Sequence, residues 1–201
     1  MTQAASATTR PWWWRLWLAQ TRYVVSLAAF CALVARDDAR VTFCVAGAVG
    51  NALGNKLLKR LIAQARPSGS ALHDPGMPSS HASSLFFFAA FIALALLRHP
   101  PAYGLPSAAA LVALAACAAR HRVAAGFHTP AQVAVGALVG ASAATIWHEL
   151  ARPRLEPFCA GRGAALAVAG VVGVGVLSNA GQELLGTRAA SSAQQRSGRD
   201  S

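Results

Sequence analysis

Long apolar stretches, separated by short polar segments, constrain the fold of this chain more than any other feature. Only 12% of its 201 residues are charged, about half of the roughly 25% that is usual for a soluble domain. A helix needs about 20 mostly apolar residues to cross the hydrocarbon core of a bilayer. The sequence therefore predicts an all-α fold, a polytopic transmembrane helix bundle with about four to six spans.

Six apolar stretches are candidates for these spans. Several are shorter than the required length, so flanking residues must extend them or the bilayer must thin locally. The fifth stretch contains Gly136 and Gly140 in a GxxxG pair, which predicts a packing notch inside the bundle. The stretches are Tyr23–Ala35, Val41–Leu58, Ala82–Leu97, Pro106–Ala119, Ala131–His148 and Ala164–Leu177.

The two ends of the chain differ in composition from the middle. Residues 1–22 include Pro11–Leu18, where four tryptophans lie beside an arginine. This pattern predicts an interfacial segment, because indole rings suit the headgroup layer. Residues 23–178 form the predicted membrane-embedded domain. Residues 179–201 are polar and rich in Ser, Gln and Arg, which predicts a disordered tail.

The formal net charge of +11 favours anionic partners such as lipid headgroups or phosphorylated substrates. The basic residues lie between apolar stretches and do not form one clustered face. Nucleic acid is therefore the poorest candidate among anionic partners. Membrane lipids and a phosphorylated lipid fit the pattern better.

Three polar segments carry most of the chemistry. They are Lys59–Pro67 (KRLIAQARP), Gly76–His81 (GMPSSH) and Arg122–Gln132 (RVAAGFHTPAQ). The first two follow the second apolar stretch and the third follows the fourth stretch. An even number of crossings separates them, so all three are predicted to lie on the same membrane face.

The first two segments suggest an anion site. Lys59 and Arg66 are seven residues apart, which would place both on one face of a helix that Pro67 ends. Ser79 and Ser80 come just before an apolar run, which predicts a helix N-terminus with available N–H groups. His81 would then lie in the first turn. Taken singly, these residues are more typical of solvated helix ends and caps than of a site.

The third segment places Arg122 six residues before His128. Thr129, Pro130 and Gln132 then read as the N-cap, N1 and N3 positions of a capping box. Gln132 also lies four residues after His128, where its amide oxygen could orient the imidazole. The two roles compete for one side chain, and the sequence leaves both open.

Taken together, these segments have the order K-x6-RP, PSSH and R-x5-H-x3-Q. That pattern resembles the signature of the type 2 phosphatidic acid phosphatase superfamily, and the resemblance covers about residues 56–136. It implies a helical-bundle phosphatase that needs no metal or other cofactor. It also implies that His128 is the nucleophile, forming a phosphohistidine, and that His81 is the general acid. The matching phosphate-binding residues are Lys59, Arg66, Ser79, Ser80 and Arg122.

Three positions depart from the general pattern of that superfamily. Ser80 stands where glycine is usual, His121 where serine is usual, and Gln132 where an aspartate usually orients the nucleophile. The first and third departures resemble the dolichyl diphosphatase branch and its plastid lipid-phosphatase relatives. A glutamine at this position implies orientation of His128 without a full charge.

The branch resemblance implies hydrolysis of dolichyl diphosphate to dolichyl monophosphate and phosphate, which recycles the lipid carrier for protein N-glycosylation. It implies a multi-pass protein of the endoplasmic reticulum membrane with a luminal site. The nearest alternative is a phosphatidic acid or general lipid phosphate phosphatase, with a plastid membrane as the alternative location. A different class, a catalytically silent protein that binds lipid phosphates, also remains open. The sequence gives no prediction of oligomeric state.

Overall fold

The structure is a computed structural model that describes residues 24, 27–35, 38–68, 70, 74–98 and 102–177. All regular secondary structure in these residues is helical, and none of them lies in a strand. Four helices are long and apolar enough to cross a membrane. The predicted all-α polytopic bundle is therefore confirmed.

The four long helices correspond to the second to fifth apolar stretches. We label the short segment 27–35 α1, and the next four helices α2 (Ala39–Ile62), α3 (Ser80–Arg98), α4 (Gly104–Ala124) and α5 (Pro130–Ile146). Helix α5 continues through a π turn and two short helical turns as far as Cys159, which makes a span of 30 residues. A C-terminal helix, Arg162–Leu177, is apolar but shorter than the other four.

Helix α3 is the centre of the bundle, because it packs against α2, α4 and α5. The α3–α5 contact is close because α5 presents Gly136 and Gly140 to the backbone of α3. A Cβ atom on Gly136 would lie 2.5 Å from the carbonyl oxygen of Ser79, and one on Gly140 would overlap the carbonyl of Ser83. The predicted packing role of this glycine pair is therefore confirmed.

Aromatic rings fill the middle of the bundle. The rings of Phe43 and Trp147 are stacked with centroids 4.8 Å apart, and the indole N–H of Trp147 donates to the carbonyl of Phe43 at 2.9 Å. Phe87 and Phe91 complete this cluster. The indole contact requires Gly47 on α2, because a Cβ there would overlap the Trp147 ring.

The outer faces of the helices are apolar. Leu61 on α2, Leu105 on α4 and Leu138 on α5 are all exposed, as are many other large apolar side chains. Exposed apolar faces of this extent are costly in water and favourable in lipid. They fit the assignment of these helices as membrane spans.

The two ends of the bundle are polar in different ways. At one end Arg98 pairs with Glu149, and Glu156 pairs with both Arg152 and Arg40. At the other end lie the residues of the three polar segments. The predicted N-terminal segment 1–22 and tail 179–201 lie outside the described residues.

Candidate active site

The end of α2 differs from the sequence-based prediction. The helix ends at Ile62, four residues before Arg66, and Ala63 adopts a left-handed conformation with φ 48°. The N–H of Ala63 bonds to the carbonyl of Lys59 and caps the helix. The prediction that Lys59 and Arg66 share one helical face, with the helix continuing to Pro67, is therefore wrong. The non-helical segment instead carries Arg66 across to α5.

Asp74 joins the two cations of the first segment. The Nζ atom of Lys59, a residue that is only 9% exposed, lies 2.6 Å from one carboxylate oxygen of Asp74 and donates to the carbonyl of Pro75 at 2.8 Å. The guanidinium of Arg66 donates to the other carboxylate oxygen at 2.8 Å and to the Asp74 carbonyl at 2.9 Å. The Asp74 carboxylate therefore lies between Lys59 and Arg66, two cations that would also attract a phosphate.

The carboxyl group of Asp74 is held in its ionised form. Partial burial alone would raise the pKa of this carboxyl, but the hydrogen bond and charge of Lys59, together with those of Arg66, outweigh burial and lower the pKa. The group is therefore ionised at neutral pH. One carboxylate offsets part of the positive charge that the cluster concentrates at this end of the bundle.

Arg66 also contacts His128, 62 residues later in the chain. Its Nη1 atom donates to the carbonyl of Phe127 at 2.8 Å and lies 3.1 Å from Nε2 and 3.4 Å from Nδ1 of His128. A guanidinium can only donate hydrogen bonds, so it favours a lone pair on the nearer ring nitrogen, Nε2. The Nδ1 atom lies 3.3 Å from the amide oxygen of Gln132. We assign the ring proton to Nδ1, which faces the Gln132 oxygen, and this leaves the lone pair of Nε2 for nucleophilic attack.

His128 is held neutral. It is only 3% exposed, and burial, followed by the nearby charge of Arg66, lowers its pKa to about 4. Both causes disfavour the imidazolium. The ring is therefore neutral at pH 7, which is the state that a nucleophilic nitrogen requires.

Gln132 performs both of the roles that the sequence left open. Its side-chain oxygen accepts from the N–H of Thr129 at 3.2 Å, and the Thr129 hydroxyl accepts from the N–H of Gln132 at 3.2 Å, so the predicted capping box is confirmed. The same oxygen faces Nδ1 of His128. Its Nε2 atom donates to the carbonyl of Ala65 at 2.8 Å and to the side-chain oxygen of Gln64 at 3.1 Å.

The second segment forms the start of α3, as predicted. Ser79 is fully buried, and its N–H donates to the Gln132 carbonyl at 3.0 Å, which joins α3 to α5. A phosphate can therefore reach this N–H only if that bond opens. The Ser80 hydroxyl accepts a hydrogen bond from Nδ2 of Asn55 at 2.7 Å. His81 lies partly exposed in the first turn of α3.

Arg122 lies in the last turn of α4. Its guanidinium stands over the ring of Phe127 at 4.3 Å from the centroid, next to His128 in the chain. The structure thus brings all eight predicted site residues to one end of the bundle, where the ends of α2 and α4 meet the starts of α3 and α5. The prediction that the three segments share one face agrees with this arrangement.

A neutral buried histidine beside three cations can accept and transfer a phosphoryl group. Residues 39–155 match the sequence profile of the PAP2 superfamily. The chain belongs to the PAP2 superfamily.

Three relatives of this PAP2 chain have names that specify an activity. It is 33% identical over 132 residues to lipid phosphate phosphatase epsilon 1, chloroplastic, of Arabidopsis thaliana, which is 65% of this chain and 47% of that protein. It is 32% identical over 130 residues to lipid phosphate phosphatase epsilon 2, chloroplastic, of the same plant, or 64% and 46% of the two chains. It is 30% identical over 142 residues to dolichyldiphosphatase 1 of Dictyostelium discoideum, and the match covers 67% of this chain and 62% of that protein.

The chain spans about half the length of the two chloroplastic relatives that it matches. No solved structure matches it. The family is therefore established by sequence, and the geometry of this PAP2 site comes from the chain's own side chains.

Sequence reasoning missed three residues of the site: Asn55, Gln64 and Asp74. Asp74 had a usable signal, since it is the only acidic residue between Asp38 and Glu149 and lies between the first two polar segments. Asn55 had a weaker one, because it is a polar residue in an apolar stretch one helical turn before Lys59. Gln64 offered no signal, because its role depends on where the chain turns after α2.

Proposed function

We propose that this protein hydrolyses a lipid phosphate at the membrane surface through a covalent phosphohistidine on His128. One observation carries the proposal. The Nε2 lone pair of His128 lies 3.1 Å from the Arg66 guanidinium, while Nδ1 faces the Gln132 amide oxygen at 3.3 Å. His128, the proposed nucleophile, is therefore adjacent to Arg66, the proposed phosphate-binding cation, and the Gln132 oxygen favours the tautomer with its proton on Nδ1.

The chemistry proceeds in two steps. The lone pair on Nε2 of His128 forms a bond to phosphorus while the bond from phosphorus to the lipid oxygen breaks. His81, in its protonated form, gives a proton to the departing oxygen. A water molecule, losing its proton to His81, then attacks the phosphohistidine, and the N–P bond breaks to release phosphate and neutral His128.

Three cations stabilise the charge that develops on the phosphoryl oxygens: Lys59, Arg66 and Arg122. Ser80, with its oxygen already accepting from Asn55, has its own O–H available to donate to phosphate. The resemblance to the superfamily implies that no metal is required, and hydrolysis in the presence of EDTA tests this.

Two substrates are candidates. The PSSH and HT-x-x-Q segments resemble both the dolichyl diphosphatase branch and its plastid relatives, so they do not choose between the candidates. Dolichyl diphosphate is favoured by the similarity to a dolichyldiphosphatase. It would place the site at the luminal face of the endoplasmic reticulum and serve N-glycosylation. A lipid phosphate ester such as phosphatidic acid is favoured by the similarity to two chloroplastic lipid phosphate phosphatases; it would place the protein in a plastid membrane.

The decisive measurement is phosphate release by detergent-purified protein in EDTA, from dolichyl diphosphate and phosphatidic acid in parallel. We expect release from one of them by the wild type, and none by His128→Ala or Arg66→Ala. Arg154→Ala, which changes an exposed cation at the opposite end of the bundle, serves as the control and should retain activity. Equal release by His128→Ala would contradict the phosphohistidine mechanism. No release from either lipid would favour a catalytically silent lipid-phosphate-binding protein.

A further inference from the structure

The carboxylate of Asp74 covers two of the cations that the proposed mechanism uses to bind phosphate. The side chains of Lys59 and Arg66 are only 11% and 6% exposed, whereas that of Asp74 is 52% exposed. One carboxylate oxygen lies 2.6 Å from Nζ of Lys59, and the other accepts from Nη2 of Arg66 at 2.8 Å. An anion that approaches these cations therefore meets a negative charge that is already paired with both.

Backbone carbonyl groups hold the same two cations in place. Nζ of Lys59 donates to the Pro75 carbonyl at 2.8 Å. Nε of Arg66 donates to the Asp74 carbonyl at 2.9 Å, and Nη1 of Arg66 donates to the Phe127 carbonyl at 2.8 Å. These three hydrogen bonds do not involve the Asp74 side chain. Its carboxylate is therefore not the only group that positions the cations.

The stretch that supplies two of these carbonyls is itself anchored to the rest of the site. The N–H of Gly76 donates to the Gln64 carbonyl at 2.7 Å. A Cβ on Gly76 would overlap the side chain of Gln132, so the backbone passes directly against that amide. We therefore expect the chain around Asp74 to keep its path when the carboxylate is replaced by a neutral group of similar size.

An ionised carboxylate between two cations weakens their attraction for any other anion. Carboxylate and phosphate oxygens accept the same charge-assisted hydrogen bonds from lysine and arginine. A phosphate monoester carries a charge of about −1.5 to −2 near neutral pH. A phosphate that reaches Lys59 and Arg66 must separate them from Asp74 or lie beside a like charge. Both alternatives raise the free energy of the phosphate complex.

We propose that Asp74 is an internal competitor for phosphate, whose carboxylate keeps the site from holding inorganic phosphate too tightly. The proposal rests on the lipid phosphatase activity proposed above and concerns how that site releases its product. Phosphate released from His128 lies beside cations that attract it, and the carboxylate of Asp74 takes its place on Lys59 and Arg66. The competition acts on substrate and product alike, so it raises both dissociation constants without lowering the chemical barrier.

The first test removes the charge of Asp74. Asp74→Asn keeps a side chain of nearly the same size. We expect the inhibition constant of inorganic phosphate, measured on lipid phosphate hydrolysis by detergent-purified protein, to fall about fivefold, as for loss of a partly exposed ion pair. The KM should fall by a similar factor, and kcat should not rise. Glu149→Gln is the matched control, because it removes a carboxylate that pairs with Arg98 at the opposite end of the bundle; it should change neither constant.

A purely structural role for Asp74 predicts a change in the opposite direction, because misplaced cations would bind phosphate more weakly. An unchanged or higher inhibition constant in Asp74→Asn would therefore overturn the proposal. An equal fall in Glu149→Gln would also overturn it, since the effect would then come from the overall charge of the protein.

A second measurement uses the wild-type side chain, so it holds even if Asp74→Asn does not fold. In protein labelled with carbon-13 at the aspartate carboxyl groups, the Asp74 signal is assigned by its absence from Asp74→Glu, which keeps a carboxylate. We expect saturating inorganic phosphate to shift this NMR signal, because the pairing of the carboxylate with Lys59 and Arg66 changes. A signal that does not move would overturn the proposal.

The two proposals fail in different ways. If the wild type hydrolyses no lipid phosphate, the phosphatase activity is refuted, and the role of Asp74 in product release with it. Equilibrium dialysis with radiolabelled inorganic phosphate measures binding without turnover. If the wild type is active and Asp74→Asn does not bind phosphate more tightly in dialysis, the phosphatase activity stands and the role of Asp74 is overturned.

Discussion

At the scale of single residues, Gln132 shows how the site is built around an amide. One face of the amide supplies an oxygen to Thr129 and His128, and the other supplies an N–H group to Ala65 and Gln64. A carboxylate could fulfil the first function and not the second. The glutamine, which departs from the usual aspartate of the superfamily, therefore has a structural explanation in the segment that follows α2.

Gln132→Glu separates these two functions. Glutamate is a normal N3 residue of a capping box, but one of its oxygens would face the carbonyl of Ala65 and the side-chain oxygen of Gln64. We expect the free energy of unfolding to fall by about 1–3 kcal/mol at pH 7. The loss should shrink as the pH is lowered, because a protonated carboxyl can donate where the amide did. Stability equal to that of the wild type at pH 7, measured by unfolding in detergent, would contradict this account.

His128 provides the clearest pH prediction. Its pKa of about 4 in the folded protein lies below the ordinary value of about 6.5. As the pH falls from about 6.5 towards 4, the unfolded chain takes up a proton on this ring before the folded protein does. The free energy of unfolding is therefore highest above about pH 6.5 and declines between about pH 6.5 and pH 4. We expect its imidazole NMR signal, assigned by its absence from His128→Gln, to titrate with a midpoint near pH 4. A midpoint near pH 6.5 would show that burial and the Arg66 charge do not hold the ring neutral.

At the scale of helices, the sequence predicts where a helix begins better than where it ends. Thr129, Pro130 and Gln132 form a local pattern that specifies where α5 begins, and Ser79 and Ser80 do so for α3. The end of α2 depends on a left-handed alanine, Ala63, which no local pattern predicts. That early end determines the path of Arg66 and the position of Gln64. The contact of Asn55 joins it to Ser80, 25 residues later, and the contacts of Asp74 depend on the path of the segment after α2, so neither could be derived from spacing alone.

The α3–α5 contact gives a prediction at this scale. Gly140→Ala would place a Cβ against the backbone of Ser83, and backbone atoms cannot move aside as a flexible side chain can. We expect a loss of about 1–3 kcal/mol in the free energy of unfolding, as for an overpacked core. Gly50→Ala is the matched control, because its Cβ meets no atom within 4 Å; its stability should equal or slightly exceed that of the wild type. Equal behaviour of the two variants would refute the close α3–α5 approach.

At the scale of the whole molecule, the path of the chain decides whether a site can form at all. Two crossings, α3 and α4, separate the segment after α2 from the loop that carries His128. An even number returns the chain to the same face, so Arg66, just beyond the end of α2, can meet His128, the proposed nucleophile before α5. The paired charges Arg98–Glu149 and Arg40–Glu156 mark the opposite face.

This topology predicts which engineered cysteines in sealed vesicles are accessible from the same side of the membrane. Ser68→Cys and Ala125→Cys, both at exposed positions on the site end, should react alike with a membrane-impermeant maleimide. Ala102→Cys and Arg154→Cys, exposed at the opposite end, should react only from the other side. The background variant lacks the native thiols Cys31, Cys44, Cys117 and Cys159.

Opposite accessibility of Ser68→Cys and Ala125→Cys would mean an odd number of crossings between them, and the cluster of Arg66 with His128 could not exist. Matching accessibility supports the shared face. The side from which that pair reacts then gives the absolute orientation of the site. In vesicles of known orientation, that side shows whether a phosphate-bearing lipid must enter from the lumen or from the opposite compartment.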